Sequence, residues 1–272
     1  MQMFSLEGQV ALVTGASRGL GKAIAGAFAE AGARVILAAR DGHKLADVSK
    51  SIRDQGGQAE IEVFDLADED AVVAAIGRIN QRHGVPHILV NNAAAMPRMP
   101  FLDSSLADWD EAQRTNLRAP YLLCREVARG MIERNQGGRI INITSYAGLV
   151  GRDNIQAYAA SKAGLAGLTR SLACELGPHG ITVNNISPGL FMTDLSVSLR
   201  TTPVVMDKYR GLIALARPGE PHEIAGAALF LASSAGSYVT GTTIDVDGGI
   251  ANTMPVRYDG PDPRRHLFPK KT

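Results

Sequence analysis

The sequence has few of the features that mark extracellular, membrane or nucleic-acid-binding proteins. Its 272 residues include only two cysteines, Cys124 and Cys174, which form no metal-ligand cluster and are expected to be buried free thiols of a reduced protein. The formal charge of +1 creates no field that favours nucleic acid or an anionic membrane. Apolar runs are far shorter than a membrane span, and residues 1–8 lack the regions of a secretory signal. We therefore expect a cytoplasmic protein without nucleic-acid or membrane partners.

Short apolar segments and helical patterns alternate along the chain. Strand-like segments occupy residues 9–14, 34–39, 58–64, 87–90, 139–144, 181–186 and 242–246, and helical patterns occupy residues 20–31, 43–53, 68–81, 105–134, 154–176 and 221–231. Strands that alternate with helices form right-handed crossovers, and apolar strands suit a parallel sheet that is covered on both faces. The pattern predicts an α/β fold of the Rossmann type, with a doubly wound, mostly parallel seven-stranded sheet and helices on both faces.

No break in composition divides residues 1–251, which we interpret as a single domain. Residues 252–272 differ, because they are Pro-rich, basic and without hydrophobic periodicity. This C-terminal tail is expected to be a flexible arm or to dock on a neighbouring subunit.

A glycine-rich turn follows the first strand. Residues 14–21 read Thr-Gly-Ala-Ser-Arg-Gly-Leu-Gly, and the first helical pattern begins within them. Glycines let a backbone approach a pyrophosphate, and the N–H groups and dipole of a helix N-terminus favour its negative charge. Glycines at such a turn also serve packing alone, but the position at the first strand–helix junction favours a dinucleotide site.

The end of the second strand indicates which dinucleotide binds. A carboxylate there would bond the ribose of NAD, whereas this chain has Arg40, and Arg18 in the glycine turn is able to reach the same place. Because an arginine side chain suits a phosphate, the pair predicts NADP(H) in preference to NAD(H). The competing carboxylate is Asp41, which we expect to cap the following helix.

A tyrosine and a lysine stand four residues apart in the fifth helical pattern. Tyr158 and Lys162 lie one turn apart on one helical face, and Ser145 precedes the tyrosine by thirteen residues. A phenol transfers protons, a nearby ammonium lowers its pKa from about 10, and a hydroxyl polarises a substrate oxygen. Each residue alone is common in helices or at strand ends, so the prediction depends on their joint occurrence with the glycine turn.

Together the glycine turn, Ser145, Tyr158 and Lys162 resemble the short-chain dehydrogenase/reductase family in its compact form. The resemblance covers residues 6–250 and extends to Asp65, Asn91–Ala94, Asn116, Ser187–Gly189 with Thr193, and Val246–Gly249. One departure is Ala94, where the family usually has glycine, and it removes no hydrogen-bond donor. The resemblance implies an oxidoreductase that interconverts a secondary alcohol and a ketone by hydride transfer.

Residue roles follow from the same resemblance. It implies that the catalytic residues are Asn116, Ser145, Tyr158 and Lys162. It implies that the cofactor contacts are Gly15, Ser17, Arg18, Gly19, Leu20, Gly21, Arg40, Asp65, Leu66, Asn92, Ala93, Tyr158, Lys162, Pro188, Gly189 and Thr193. Tyr158 would be the acid or base, Lys162 would also hold the nicotinamide ribose, and Asn116 would hold a water that links the lysine to solvent. Ser145 would bond the substrate oxygen, and no metal site is predicted.

The substrate end of the site is less defined by the sequence. Residues 91–101 and 148–154 are similar to those of gluconate 5-dehydrogenase-like members, which act on sugar acids, and Arg98 and Arg152 suit a carboxylate unless they are plain surface residues. The candidate substrate contacts are Met96, Arg98, Ala147, Arg152, Phe191 and Arg200. Arg200 lies in the expected substrate lid, residues 193–217. The alternative substrates are a 3-oxoacyl thioester or the ketones of a general carbonyl reductase.

Two interpretations from other classes remain open. A non-catalytic dinucleotide-sensing protein need not keep all four catalytic residues, and a sugar-nucleotide epimerase or dehydratase usually has another glycine spacing and a larger C-terminal region. The family resemblance also implies a homotetramer or homodimer in which residues 105–134 and 154–176 pack against their copies. Small residues between positions 159 and 167 would allow such packing, although packing onto the sheet requires them too.

Overall fold

A seven-stranded sheet runs through the centre of the computed structural model, which describes residues 2–193 and 202–255. The strands are β1 (Val10–Thr14), β2 (Arg34–Ala39), β3 (Gln58–Val63), β4 (Ile88–Asn91), β5 (Gly138–Ile143), β6 (Ile181–Pro188) and β7 (Thr243–Val246). Their order is β3-β2-β1-β4-β5-β6-β7, and every strand pairing in the described part of the chain is parallel. The strand order reverses between β1 and β4, which opens a crevice at the carboxyl ends of these strands. The Rossmann-type sheet is thereby confirmed.

Helices cover both faces of this sheet. They are α1 (Gly19–Glu30), α2 (Gly42–Asp54), α3 (Glu69–His83), α4 (Leu106–Gln113), α5 (Ala119–Arg134), α6 (Gln156–Leu176), α7 (Pro203–Leu212) and α8 (Ala225–Ala232). Residues of α1, α2 and α8 form one apolar cluster on the first face, and residues of α3, α5 and α6 form another on the second face. Two-sided burial explains why the strand segments are apolar throughout. None of the described helices is long and apolar enough to cross a lipid bilayer.

Aspartate side chains begin two of the helices near the cleft. The Asp41 carboxylate accepts the backbone N–H of Lys44 at 3.1 Å at the start of α2, and the Asp68 carboxylate accepts that of Ala71 at 3.0 Å at the start of α3. Each bond satisfies an N–H group that has no partner within its helix. Both predicted caps are therefore confirmed.

Helix boundaries differ from the prediction at three places. The long helix expected over residues 105–134 is interrupted by a π-helical turn, Arg114–Arg118, between α4 and α5. The helix expected at residues 221–231 starts with a 3-10 turn, Pro221–Ile224. Helix α7 was not predicted, because the expected lid shows no clear apolar period.

The two cysteines occupy different environments. Cys124 is buried in the second apolar cluster, where burial raises the pKa of its thiol to about 12. Cys174 is exposed, so the expectation that both thiols are buried is wrong. The reason is helical phase: Ala173 and Leu176 of α6 face the sheet, and Cys174 lies on the opposite side of the helix.

Candidate active site

A cleft of about 560 Å³ lies at the carboxyl edge of the sheet. It is bordered by the residues that follow β1, β2, β3, β4, β5 and β6 and by one face of α6. The predicted site residues that line it are Gly15, Ser17, Arg18, Gly19, Leu20, Arg40, Asp65, Leu66, Asn92, Ala93, Met96, Arg98, Ser145, Ala147, Arg152, Tyr158, Lys162, Pro188, Gly189, Phe191 and Thr193. Gly21 and Asn116 lie behind the lining, and Arg200 is outside the described residues.

The glycine turn forms one end of the cleft. Gly15 has a φ of +64°, and a Cβ added there would lie 2.8 Å from the Cα of Ala93 and 2.8 Å from Nδ2 of Asn92. The Asn92 amide donates to the carbonyl oxygens of Thr14 at 2.9 Å and Gly15 at 3.2 Å, so it fastens the turn to the end of β4. Gly21 packs behind this contact, because a side chain there would collide with Asn92 and with the Gly15 carbonyl. Gly21 therefore packs against neighbouring residues, whereas Gly15 lines the cleft, and the predicted cofactor contact of Gly21 stays a prediction.

Cationic side chains gather where β2 ends. Arg18 and Arg40 line the cleft, and Arg40 lies 3.8 Å from the Asp65 carboxylate, a long contact between exposed groups. The Asp41 carboxylate caps α2, and the backbone N–H of Lys44 lowers its pKa. Lys44 also lines the cleft and lies 3.1 Å from Asp41. This edge of the cleft is therefore suited to an anionic group.

Sequence reasoning missed Lys44. Its signal was available, because position 44 lies three residues after a capping aspartate and therefore in the first turn of the helix that borders the dinucleotide end.

Ser145, Tyr158 and Lys162 lie together in the middle of the cleft. Ser145 follows β5 and begins a short 3-10 turn by accepting the backbone N–H of Ala147 at 3.2 Å. Tyr158 and Lys162 lie one turn apart on α6, and both are buried, with the lysine 2% exposed. The lysine ammonium donates to the carbonyl oxygen of Ile143 at 2.7 Å and lies 5.7 Å from the centre of the tyrosine ring.

Burial shifts both titrating groups of this helix. It raises the pKa of the Tyr158 phenol, while a hydrogen bond with Ser145 and the charges of Arg152 and Arg98 act in the opposite direction. Burial lowers the pKa of Lys162 to about 7. A buried acid and a buried base with shifted pKa values in one cleft are typical of a proton-transfer site.

Asn116 holds the neighbouring parts of the site in place. It lies in the π-helical turn, fully buried, and its amide contacts protein groups at both ends. Its Oδ1 accepts the backbone N–H of Ala95 at 2.8 Å, and its Nδ2 donates to the Ala95 carbonyl at 2.8 Å and to Oγ of Ser161 at 3.0 Å. These bonds tie the loop after β4 to α6, one residue before Lys162. π-helical turns of this kind are frequent at functional sites.

Two arginines and two tyrosines shape the other end of the cleft. Arg98 and Arg152 both line it. Arg152 Nη1 donates to the Tyr146 hydroxyl at 3.4 Å, and its guanidinium carbon lies 5.1 Å from the centre of the Tyr209 ring. Burial raises the pKa of Tyr146 to about 12. Arg152 Nε is buried and has no hydrogen-bond partner among the described residues, so a donor remains to be satisfied there.

Neither tyrosine was predicted as a site residue. Tyr146 follows Ser145 directly, and its position next to a candidate catalytic residue was the available signal. Tyr209 belongs to α7, and no sequence signal placed that helix over Arg152.

Comparison with known proteins gives one consistent result. Residues 15–251 match a protein-family model described as "Enoyl-(Acyl carrier protein) reductase". The chain is 38% identical to gluconate 5-dehydrogenase of Gluconobacter oxydans (strain 621H), over 93% of this chain and 98% of the relative. It is 39% identical to a 3-oxoacyl-(acyl-carrier-protein) reductase of Aquifex aeolicus (strain VF5), over 90% of this chain and 98% of the relative.

Solved structures agree with the sequence relatives. A gluconate 5-dehydrogenase from Burkholderia cenocepacia J2315, in complex with NADP and tartrate, has a TM-score of 0.89 and 37% identity, and the match covers 93% of this chain and 98% of that one. A 3-oxoacyl (acyl-carrier-protein) reductase from Agrobacterium tumefaciens C58, with NADP bound, has a TM-score of 0.86 and 35% identity over 90% of this chain and 95% of that one.

The parallel sheet, the cleft at its carboxyl edge and these relatives define an oxidoreductase with a Rossmann-type fold. The chain belongs to the short-chain dehydrogenase/reductase family.

The substitution Gly15→Ala should weaken dinucleotide binding by roughly tenfold or more, because the new methyl group is strained at positive φ and collides with Ala93 and Asn92. The matched control is Gly26→Ala in the middle of α1, where no described atom lies within 4 Å of an added Cβ. Titration of each purified variant with NADPH, read by nucleotide fluorescence, measures the effect. Wild-type affinity in Gly15→Ala would contradict it.

Proposed function

We propose that this protein interconverts a secondary alcohol and a ketone, with Tyr158 transferring the proton and NADP(H) as the redox cofactor. The observation that carries the proposal is the placement of Ser145, Tyr158 and Lys162 in the cleft whose other end is formed by the glycine turn and cationic side chains. The residues fit a phosphorylated dinucleotide, because the turn leaves no room for a side chain at Gly15 and Arg18 and Arg40 border the same end. When bound, the cofactor supplies or accepts the hydride.

Tyr158 is the proposed acid in reduction and the base in oxidation. Its burial favours the neutral phenol, which is the form that gives a proton to a ketone oxygen. The hydrogen bond with Ser145 places a hydroxyl beside that phenol, where both groups can contact one substrate oxygen. Lys162 supplies positive charge 5.7 Å from the ring centre, which stabilises the phenolate left after proton transfer.

Asn116 acts as a positioning residue in this scheme. Its bonds to Ala95 and Ser161 hold the loop after β4 against α6. The proposal that a water at Asn116 links Lys162 to solvent stays a prediction.

NADP(H) is the proposed cofactor because the carboxylate near the end of β2, that of Asp41, caps α2 instead of facing a ribose. Asp41 caps α2 and contacts Lys44, while Arg18 and Arg40 border the same part of the cleft. The structures of relatives that were solved with NADP support this choice.

A substrate carboxylate suits the far end of the cleft. Arg98 and Arg152 line it, so two guanidinium groups border the space that a substrate would fill. A carboxylate accepts two parallel N–H bonds from a guanidinium. Similarity to gluconate 5-dehydrogenase supports a keto sugar acid as the substrate class.

A 3-oxoacyl thioester is the second candidate substrate. The apolar lining of the cleft by Met96, Ile155 and Phe191 favours it, and reductases of such thioesters match this chain with similar identity. The acyl chain would lie on this apolar wall, away from the arginines. A general carbonyl reductase or a non-catalytic dinucleotide sensor would not need Arg98 and Arg152 in the lining of the cleft.

Other expectations from the sequence stay predictions. A homotetramer is supported by the exposed apolar side chains Leu106, Trp109 and Tyr121 on α4 and α5, and the mass in solution would test it. The cytoplasmic location and the single domain over residues 1–251 are likewise proposals. The prediction for the C-terminal tail concerns mainly residues 256–272, which lie outside the described residues.

The substitution Arg40→Ala should lower kcat/KM with NADPH by roughly 10- to 100-fold, because a charged hydrogen bond to the 2′-phosphate is lost. Efficiency with NADH should stay the same, since that cofactor lacks the phosphate. The control is Arg34→Ala at the opposite end of β2, where the side chain contacts Gln58. A preference for NADH that Arg40→Ala leaves unchanged would refute the cofactor assignment.

The substitution Tyr158→Phe should reduce kcat by about a hundredfold or more, because the proton donor is removed while the ring remains. The dissociation constant for NADPH should change little, because the ring and most of the cofactor contacts remain. Tyr238→Phe is the control, since that tyrosine is fully exposed on the surface. Single-turnover rates and nucleotide titrations of the three proteins measure both quantities, and retained turnover in Tyr158→Phe would overturn the mechanism.

A panel of keto sugar acids, acetoacetyl thioesters and uncharged ketones, read by NADPH absorbance, tests the substrate class. We expect turnover of a keto sugar acid, and we expect Arg152→Gln to raise its KM by roughly tenfold or more, because the guanidinium–carboxylate pair is lost. Uncharged ketones are the matched control, since their KM should not change in this variant. Turnover of thioesters without any response to the acids would remove the sugar-acid proposal.

A further inference from the structure

A row of polar side chains crosses the buried sheet beneath the cleft. The strand register places Asn91 of β4 beside Asn142 of β5, Asn142 beside Asn185 of β6, and Asn185 beside Thr243 of β7. The three asparagines are 2% exposed or less. Strands that are covered on both faces normally carry apolar side chains at such positions, and a buried amide requires hydrogen bonds. The asparagine amides of this row therefore require specific hydrogen-bond partners.

Thr169 of α6 completes the row. Asn91 Nδ2 donates to Oδ1 of Asn142 at 2.8 Å, and Asn142 Nδ2 donates to the Thr169 hydroxyl oxygen at 2.8 Å. The Thr169 hydroxyl donates to Oδ1 of Asn185 at 2.6 Å, and Asn185 Nδ2 donates to the Thr243 hydroxyl oxygen at 3.1 Å. The hydroxyl of a helix thus stands between two strand amides that do not reach each other directly.

The lengths of the contacts indicate which acceptor the Thr169 hydroxyl uses. A threonine hydroxyl donates one hydrogen bond. The Thr169 oxygen lies 2.6 Å from Oδ1 of Asn185 and 3.0 Å from the Leu165 carbonyl, so the shorter contact to the sheet is the stronger one. Thr169 is fully buried, and its loss would leave both an amide N–H and an amide oxygen without a partner.

The helix that Thr169 fastens is the one that carries Tyr158 and Lys162. These residues precede Thr169 by eleven and seven positions, which correspond to about three and two helical turns, so all three lie on one face. The Lys162 ammonium donates to the carbonyl of Ile143, the residue that follows Asn142 on β5. Helix α6 is therefore joined to adjacent residues of the same strand at two points along its length.

We propose that Thr169 is a positioning residue, which fixes the height and rotation of α6 and thereby the places of Tyr158 and Lys162 at the edge of the sheet. This inference rests on the proposed roles of those two residues. Hydrogen bonds to Asn142 and Asn185 prevent α6 from sliding along the sheet, which apolar contacts alone resist weakly because they are not directional. Small displacements of reacting groups are costly, since a shift of about 1 Å can reduce a rate about a hundredfold.

The experiment compares Thr169→Ser, Thr169→Cys and Thr169→Val. The serine variant keeps the hydroxyl and should stay within about threefold of the wild-type kcat, whereas the isosteric valine variant should lose about 10- to 100-fold. The KM for the cofactor should change less than kcat, because the glycine turn and Arg40 lie on other elements and keep their places even though Lys162 moves with α6. As α6 shifts relative to β5, the Tyr158 phenol loses the hydrogen bond with Ser145 that lowers its pKa, so the pH profile of alcohol oxidation in Thr169→Val should shift to higher pH.

Thr182→Val is the matched control for burial. The Thr182 hydroxyl is buried and has no hydrogen-bond partner among the described residues, so the same exchange there should leave kcat and the pH profile unchanged. Near-ultraviolet circular dichroism and melting curves verify that the compared variants are folded at the assay temperature. If Thr169→Val does not fold, Thr169→Cys replaces it, since a thiol is a weaker donor and should give an intermediate loss.

Two results would overturn the inference. One is a folded hydroxyl-deficient variant with the wild-type kcat and pH profile, whatever its melting temperature. The other is an equal loss in Thr169→Ser or Thr182→Val, which would indicate packing alone. Failure of the proposed function is distinguishable, because it would appear as retained activity in Tyr158→Phe, independently of the variants at position 169.

Discussion

The buried ammonium of Lys162 is the interaction on which the arrangement of the cleft depends. An isolated ammonium in the interior of a protein costs on the order of several kcal/mol even after relaxation. Here it is 2% exposed and donates to the Ile143 carbonyl, and burial lowers its pKa to about 7. The Lys162 ammonium keeps this hydrogen bond only if α6 stays in place relative to the Ile143 carbonyl. The position of Lys162 therefore depends on how α6 packs against β5.

The hydrogen bonds that satisfy side chains at each end of the cleft also determine which charges are available there. The Asp41 carboxylate satisfies the first turn of α2 and pairs with Lys44, so the negative charge at this end of the cleft is already engaged within the protein. At the opposite end, Arg152 contacts Tyr146 and Tyr209 and still has a buried N–H to satisfy. Cationic side chains therefore line both ends of the cleft, and Ser145, Tyr158 and Lys162 lie between them.

Sequence patterns predicted what depends on local or periodic signals. The strands, the glycine turn and the caps at Asp41 and Asp68 were predicted correctly, since each is determined by residues that are close together in the sequence. The π-helical turn around Asn116 was not predicted, because no local pattern marks it and the bonds of Asn116 join residues that are distant in sequence, Ala95 and Ser161. Cys174 was placed wrongly, because one step of helical phase separates it from the buried Ala173.

The end of the cleft around Arg152 was the least predictable part, because its arrangement depends on contacts between residues that are distant in sequence. Arg152 was recognised as a cation, but its orientation depends on α7, a helix that packs through tertiary contacts rather than a strong period of its own. With Tyr209 over one side of the guanidinium and Tyr146 at one nitrogen, the remaining donor is directed by its neighbours rather than by solvent. Two guanidinium groups in the lining of the cleft favour a ligand with negative charge, since an apolar chain would take them out of water without a compensating bond. This asymmetry supports the acid over the thioester, although an apolar wall is available to both.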